Sequence, residues 1–400
     1  MPAIIQKRRA QGKVGHDAGL EKKSVARKGG GEDNRGVSFN GNWGFRPGRN
    51  SIKMSVSLDW NNLGFKYRDT AGHVECVWRD GAWGELQFKA EPWLKMHIAA
   101  ACLHYGQECF EGLKVFRQKD GRVVAFRPED NAARMQRTAE YLGMPCPSAE
   151  MFIRMCEECL FENLEFLPPY GFGASMYLRP LLIGIHPQMQ LTPYPEALFA
   201  VMCAPVGSYY GTTLKSCAAV IPGNYDRAAP KGSGSYKIGA NYASTFMPYK
   251  IAHEQGYTEL LYLNSSTREY IDEFGSSNFF GIKGRKYITP LSDSVLPSIT
   301  NKTLQQVALD LGMEVEKRPV PLEELSTFEE AGGCGTAVVI TPLSRIDIKP
   351  VLESPEVSRS FRFGDGGAVG PWSTALYRRI TAIQSGEAED IHGWCHFVEQ

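Results

Sequence analysis

Asp226-Arg-Ala-Ala-Pro-Lys-Gly-Ser-Gly-Ser-Tyr-Lys237-Ile-Gly-Ala-Asn-Tyr242 stands where two differently patterned halves of the 400-residue chain meet. Its glycines and Lys231 suggest a phosphate loop at first sight. No Gly-Lys-Ser/Thr opens a helix there, so the nucleotide-loop reading fails. Lys237 stands out instead, lying among Gly, Ala, Tyr and Asn with no neighbouring carboxylate in sequence. A lysine withdrawn from water has a lowered pKa, which is what a Schiff-base amine needs. A single lysine is more often a solvated surface charge, and the segments around it decide between the two.

Upstream, helices alternate with strands. Arg122–Phe126 reads as a strand running into Pro128, which suits the first turn of a helix. That helix carries Ala132, Met135, Ala139 and Leu142 on one face and stops at Gly143. A second helix is expected over about 149–163. It holds Cys156 and Cys159 in an apolar stripe at helical spacing, so this pair reads as buried core rather than a redox or metal half-site. Strands are expected at Ala174–Leu178 and Ala197–Met202, and the turn-rich 205–213 stretch reads as an interdomain linker.

Downstream the chain reads mainly as strands: Glu259–Leu263, Tyr270–Glu273, Asn278–Ile282, Lys286–Thr289 and Ala337–Thr341. A helix is expected from Thr300 to Leu311, and another from about Ser373 to Ile383. Gly332-Gly-Cys-Gly-Thr336 reads as a Gly-rich turn whose amides and Ala337 could bind an anion. Glu273 falls between apolar strand-like segments, where a carboxylate is costly unless it faces a cation. Leu296-Pro-Ser-Ile-Thr300 starts a helix, and its free N–H groups with the Thr300 hydroxyl suit a phosphate. Arg134, on the first helix, could face the same group or solvent. The mix is α+β in two domains.

The composition, 43% AVILMFWYC and 22% charged, is that of a soluble globular protein. Residues 1–53 carry 12 Lys/Arg against 4 Asp/Glu, so the rest of this formally neutral chain is about −8. A generally basic nucleic-acid surface is therefore not indicated. The first 53 residues, rich in Gly and Arg, read as a disordered basic extension. They are either a solvated tail, a mitochondrial-type presequence or an RNA-contacting arm. No secretory signal, membrane span, disulfide scaffold or metal motif is found, so a reduced, cytoplasmic setting is expected, with the mitochondrial matrix as the alternative if the tail is a presequence.

The motifs together resemble a known family. Lys237-Ile-Gly-Ala-Asn-Tyr242, Glu273-Phe-Gly-Ser-Ser-Asn278-Phe-Phe and Leu296-Pro-Ser-Ile-Thr300 stand in the order seen in branched-chain amino-acid aminotransferases, fold-type IV enzymes dependent on pyridoxal 5'-phosphate (PLP). His104-Tyr-Gly-Gln-Glu-Cys-Phe-Glu-Gly112, Tyr177-Leu-Arg-Pro180 and Gly335-Thr-Ala337 are further matches. The resemblance covers roughly residues 56–396. It implies that Lys237 is the catalytic lysine and Tyr242 a partner of the ring hydroxyl. Glu273 would pair with the pyridine nitrogen, and Arg134, Ile299, Thr300 and Thr336 would hold the phosphate. Tyr105, Phe110, Tyr177 and Tyr209 would wall the substrate pocket. Arg179 would receive the distal carboxylate of glutamate, and the amides of Thr336 and Ala337 the α-carboxylate.

The same resemblance implies a small α/β domain (56–204), a larger pseudo-barrel domain (214–396) and a homodimer. The implied reaction is ping-pong transamination of leucine, isoleucine and valine with 2-oxoglutarate, giving 2-oxo acids and glutamate. A D-amino-acid aminotransferase and an aminodeoxychorismate lyase are the neighbouring readings, and Tyr177-Leu-Arg179 with His104-Tyr105-Gly106 favours the branched-chain one. Ala240 stands where many members have Gly. Ser298 replaces a common Gly and Asn301 a common Arg, altering the outer shell expected around the phosphate. Val338-Val-Ile-Thr follows the Gly-Thr-Ala turn, so the C-x-x-C of some members is missing.

Overall fold

A computed structural model describes residues 58–207, 214–364 and 367–398. Residues 1–53, Tyr209 and all but three residues of the 205–213 stretch lie outside the described residues.

The first sheet contains β1 (His73–Arg79), β2 (Ala82–Trp83), β3 (Gln87–Lys89), β4 (Glu108–Phe110), β5 (Leu113–Arg117), β6 (Val123–Phe126), β7 (Ser175–Gly184) and β8 (Ala197–Val206). Its centre is an antiparallel pair of ten residues each, from Ser175↔Val206 to Gly184↔Ala197. Two helices cover one face. In α2 (Pro128–Tyr141) and α3 (Ala149–Phe161), Met135 and Ala139 meet Phe152, Met155 and Leu160 in a core that also takes Met176, Leu178 and Phe199 from the sheet. Pro128 starts α2 where its missing N–H has no partner to lose, and Gly143 ends it at φ 62°. Ser148 caps α3, accepting from the Met151 N–H at 3.2 Å. Cys156 and Cys159 are buried on α3. The short α1 (Ala101–Tyr105) lies at the edge.

The second sheet is mixed. It comprises β9 (Cys217–Pro222), β10 (Glu259–Leu263), β11 (Tyr270–Phe274), β12 (Asn278–Lys283), β13 (Lys286–Pro290), β14 (Glu314–Arg318), β15 (Val320–Pro321), β16 (Glu330–Gly335), β17 (Val339–Lys349) and β18 (Arg359–Arg362). Strands β12, β16, β17, β9, β10 and β11 pair in succession, and Glu273↔Asn278 joins β11 back to β12. These six strands thereby close into a ring, with β13 and β14, β15 and β18 attached at its margins. Phe274, Phe279, Ile271, Leu261 and Ile346 form one core of this sheet. On another face, α6 (Ile299–Asp310) and α7 (Pro371–Gln384) lay Leu304, Val307, Leu376 and Ile380 against Phe280 and Tyr287. Strands β9 and β10 are parallel, so the chain must cross over between them. That crossover holds α4 (Gly239–Ala243), α5 (Phe246–Glu254) and Lys237. Finally β19 (Cys395–Phe397) pairs with β6, returning to the first sheet.

Two local expectations are corrected. Gly332–Gly335 is strand β16 rather than a turn, and the turn is confined to 336–338 before β17. Glycine is depleted in strands, but packing requires it here. A Cβ on Gly332 would stand 2.6 Å from the Phe280 ring, and one on Gly333 2.8 Å from Ser277 Oγ. Strand β8 also continues to Val206, two residues into the stretch read as linker.

Candidate active site

A cavity of about 180 Å³ opens where the crossover, the β16–β17 turn and the β4–β5 segment converge. Lys237 reaches it from an extended segment stitched to β4 on both sides. The Phe110 N–H donates to the Lys237 carbonyl at 3.2 Å, and the Gly239 N–H donates to the Glu108 carboxylate. A side chain at Gly239 would collide with that carboxylate. Lys237 Nζ donates to the Tyr242 hydroxyl at 2.8 Å and lies 4.7 Å from the Phe110 ring centroid. Lysine and tyrosine are five residues apart because α4 turns the chain back between them.

Glu273 lies at the barrel closure and is 3% exposed. Its Oε1 accepts from the Leu296 N–H at 3.0 Å and faces the Arg227 guanidinium at 2.9 Å, and its Oε2 accepts from Asn278 Nδ2 at 2.5 Å. Burial pushes its carboxyl up to about 7, with Arg227, Leu296 and Asn278 each partly offsetting the rise. Arg227 is buried as well, donates to the Gly234 and Ser294 carbonyls, and keeps an unpartnered Nε.

Arg134 projects from α2 and forms a two-pronged ion pair with Glu111, with Nε–Oε1 and Nη2–Oε2 both 2.7 Å. Its Nη1 donates to the Pro297 carbonyl at 3.0 Å. Burial works against the charge, but Glu111 outweighs it and holds the guanidinium above its ordinary value. Three of its five donors are thus fixed, and the side chain stands rigid at the cavity wall. Ser298 lies beside it as the cap of α6, accepting from the Asn301 N–H at 3.2 Å. The first turn of α6 leaves the Ile299 and Thr300 N–H groups without intrahelical partners. Those two residues line a smaller cavity that shares Gly112 and Thr336 with the main one.

At the other end Arg179 donates to the Tyr177 hydroxyl at 3.2 Å, stands over Phe110 at 4.8 Å, and has a buried Nε with no partner among the described residues. Lys114, 9% exposed and pulled down to about 8 by burial, donates to the Ala337 carbonyl at 2.8 Å. It fixes the Thr336–Ala337 turn from beneath.

Of the residues expected from sequence, Lys237, Tyr242, Glu273, Arg134, Phe110, Tyr177, Arg179, Thr336 and Ala337 line the one cavity. Ile299 and Thr300 line its smaller neighbour. Tyr105 is not among the lining residues. It is 41% exposed, and its hydroxyl donates to the Met189 carbonyl at 2.8 Å. Tyr209 is outside the described residues. Asn301 is buried, and its side chain bonds to Asn278, Thr289 and Tyr287. Sequence reading assigned no role to Arg227, Glu111 or Lys114. Glu111 and Lys114 flank a Gly in an apolar strand pattern, where two opposite charges within four residues were the available signal.

A family model described as amino-transferase class IV matches residues 108–346. A branched-chain-amino-acid aminotransferase of Haemophilus influenzae is 44% identical over 349 residues, spanning 86% of this chain and 99% of that protein. The solved branched-chain amino acid aminotransferase of Escherichia coli superposes with a TM-score of 0.66 at 26% identity, covering 82% of this chain and 100% of that one. A branched-chain amino acid aminotransferase from Thermobaculum terrenum, solved in its PLP form, superposes with a TM-score of 0.65 at 21% identity over 83% of this chain and 100% of that one.

Proposed function

The chain belongs to the branched-chain-amino-acid aminotransferases of the class IV amino-transferase family, and from that premise we propose how its residues carry the reaction. It transfers amino groups between leucine, isoleucine or valine and 2-oxoglutarate with PLP as cofactor. The donor set fits that cofactor. It offers one amine beside a tyrosine hydroxyl, one buried carboxylate, and a guanidinium with a helix N-terminus, while the Arg179 and Arg227 Nε and Ser277 Oγ atoms are buried without partners. When bound, PLP supplies an aldehyde that takes the amino group and a ring that takes up the electrons of a broken Cα–H bond.

Lys237 would hold the cofactor, and its amine would take and return the proton at the substrate α-carbon. The Tyr242 hydroxyl, 2.8 Å from Nζ, orients that amine. Glu273 would pair with the pyridine nitrogen. Arg134, Thr300, Thr336 and the Ile299 N–H hold the phosphate. The Thr336 and Ala337 amides take the α-carboxylate, while Phe110 and Tyr177 exclude water from the substrate side chain. Arg179, with its free Nε, reads the second carboxylate of glutamate. One pocket thus accepts both an apolar and an acidic side chain.

The Lys237–Tyr242 hydrogen bond, in one cavity with Glu273, carries this reading. Lys237→Ala tests it. The protein as isolated should show a visible absorbance band that the variant lacks, together with leucine–2-oxoglutarate exchange. Turnover of D-alanine but not L-leucine would overturn the substrate assignment.

A homodimer is the proposed assembly. Ile98, Leu103, Met189 and Leu191 are 78%, 54%, 81% and 84% exposed on segments tied together by the Ala100–Pro187 bridge and the Tyr105–Met189 bond. Apolar exposure of this kind is what a second copy covers. Met189→Glu should shift the sedimentation coefficient to that of a monomer. No helix among the described residues is long and apolar enough to cross a membrane, and the cytoplasm is the proposed location. The two sheets are proposed as the cores of the small and large domains.

A further inference from the structure

Beside Glu273, a chain of amides whose direction is fixed runs from Asn278 at the cavity wall to Asn301 on α6. Asn278 Nδ2 donates both to Glu273 Oε2 at 2.5 Å and to the Leu296 carbonyl at 3.0 Å. A carbonyl can only accept, so the NH2 of Asn278 must face this way, and its Oδ1 must face the other. There Asn301 Nδ2 donates to Asn278 Oδ1 at 3.1 Å and to Thr289 Oγ1 at 2.8 Å. The Thr289 hydroxyl spends its own proton on the Phe279 carbonyl at 2.8 Å, so it too needs a donor from Asn301. Asn301 Oδ1 in turn accepts from the Tyr287 hydroxyl at 2.9 Å. Asn278 and Asn301 are 3% and 5% exposed, so an unmade hydrogen bond is costly at either amide.

We propose that Asn301 is a positioning residue for Glu273: it locks the Asn278 amide with its N–H aimed at the carboxylate, keeping Glu273 ionised and oriented towards the pyridine nitrogen of the bound cofactor. The inference rests on the PLP reading above. It also explains why Asn301 sits on the first turn of α6 yet leaves the phosphate to its neighbours. Were Asn278 to turn round, its Oδ1 would meet Oε2, oxygen against oxygen, and the carboxylate would lose one of its three donors.

The other groups facing Glu273 are Arg227 from the segment before α4, Asp272 from its own strand and Cys334 from β16. Arg227 favours the ionised form, while Asp272 opposes it. Burial has already raised this carboxyl to about 7, and the Asn278 hydrogen bond lowers it, so the loss of that donor raises it further.

The test compares Asn301→Ala, the isosteric Asn301→Asp, Asn278→Ala and the Asn278→Ala/Asn301→Ala double variant as holoenzymes. Three quantities are read: the dissociation constant of PLP, the 15N chemical shift of ring-labelled PLP in the site, and the acid limb of the kcat–pH profile. Both Asn301 variants should bind PLP about tenfold more weakly, as expected for one compromised charge-assisted hydrogen bond. Their ring nitrogen should be less protonated and their acid limb should move to higher pH. The double variant should be no worse than Asn278→Ala alone. Tyr287→Phe, which leaves the Thr289 and Asn278 contacts intact, should behave as wild type. If Asn301→Ala does not fold, the isosteric Asp variant decides. Unchanged PLP affinity, 15N shift and pH limb, or strictly additive losses in the double variant, would overturn the proposal. A wild-type protein that binds no PLP would instead overturn the function proposed above.

Discussion

Replacing Arg227 by methionine separates the charge in the Glu273 pair from its packing. In the apoprotein the Glu273 carboxyl is raised to about 7, against about 4.3 for an unfolded chain. Between those values the folded state binds more protons than the unfolded state, so stability falls as pH rises, by about 1.4 kcal/mol per unit, and levels off above 7. Removing a guanidinium that stands 2.9 Å from the carboxylate raises the pKa by roughly another 1–3 units. The decline then continues to about pH 8–10. The stability gap between wild type and Arg227→Met should therefore widen between pH 7 and 9 by about 1.4–2.7 kcal/mol. Urea unfolding of the two apoproteins at pH 6, 7, 8 and 9 measures it. The lost hydrogen bonds to Gly234 and Ser294 add an offset independent of pH, and Lys114 titrates alike in both proteins. A gap that stays constant from pH 6 to 9 would refute the claim that Arg227 acts as the counter-charge of Glu273.

Arg179→Met should raise KM for 2-oxoglutarate about 10- to 100-fold, the loss of a charge-assisted contact of roughly 1.5–3 kcal/mol, with leucine affected only a few-fold; half-reaction kinetics with each substrate check it. Lys114→Met should raise KM for every substrate, because the Ala337 carbonyl loses its donor. The same variant has a stability signature opposite in sign to that of Glu273. Wild-type Lys114 sheds its proton near 8 when folded but near 10.4 when unfolded. Wild type therefore gains stability as pH rises between those values, while the variant, seen in unfolding at pH 7.5 and 9.5, does not.

Much of this site is legible in sequence because its parts are local. Lys237 and Tyr242 are brought together by one turn of α4, and the Ser298 cap with its open N–H groups by the start of α6. What escapes reading depends on pairs far apart in the chain. Arg227 becomes significant only when β11 is laid across from it, and Lys114 only when the β16–β17 turn, more than 200 residues away, settles on its amine. Glycines mislead for a related reason. Gly332 and Gly333 look like a turn until Phe280 and Phe274 take up the space where their side chains would be. The partners of Asn301 escape for the same reason: Asn278 and Thr289 meet its amide only once the barrel strands are in register.

The pairing of β19 with β6 bears on how the protein is made. Phe126 and Cys395 are register partners, yet the ribosome delivers the second some 270 residues after the first, about 15–50 s at ordinary synthesis rates. Throughout that interval β6 is an unprotected outer strand. The nascent chain can assemble most of its first sheet early but cannot finish it until nearly all of the barrel has emerged. A chaperone that shields β-edges should bind released chains truncated near residue 390 and not those that extend past Phe397.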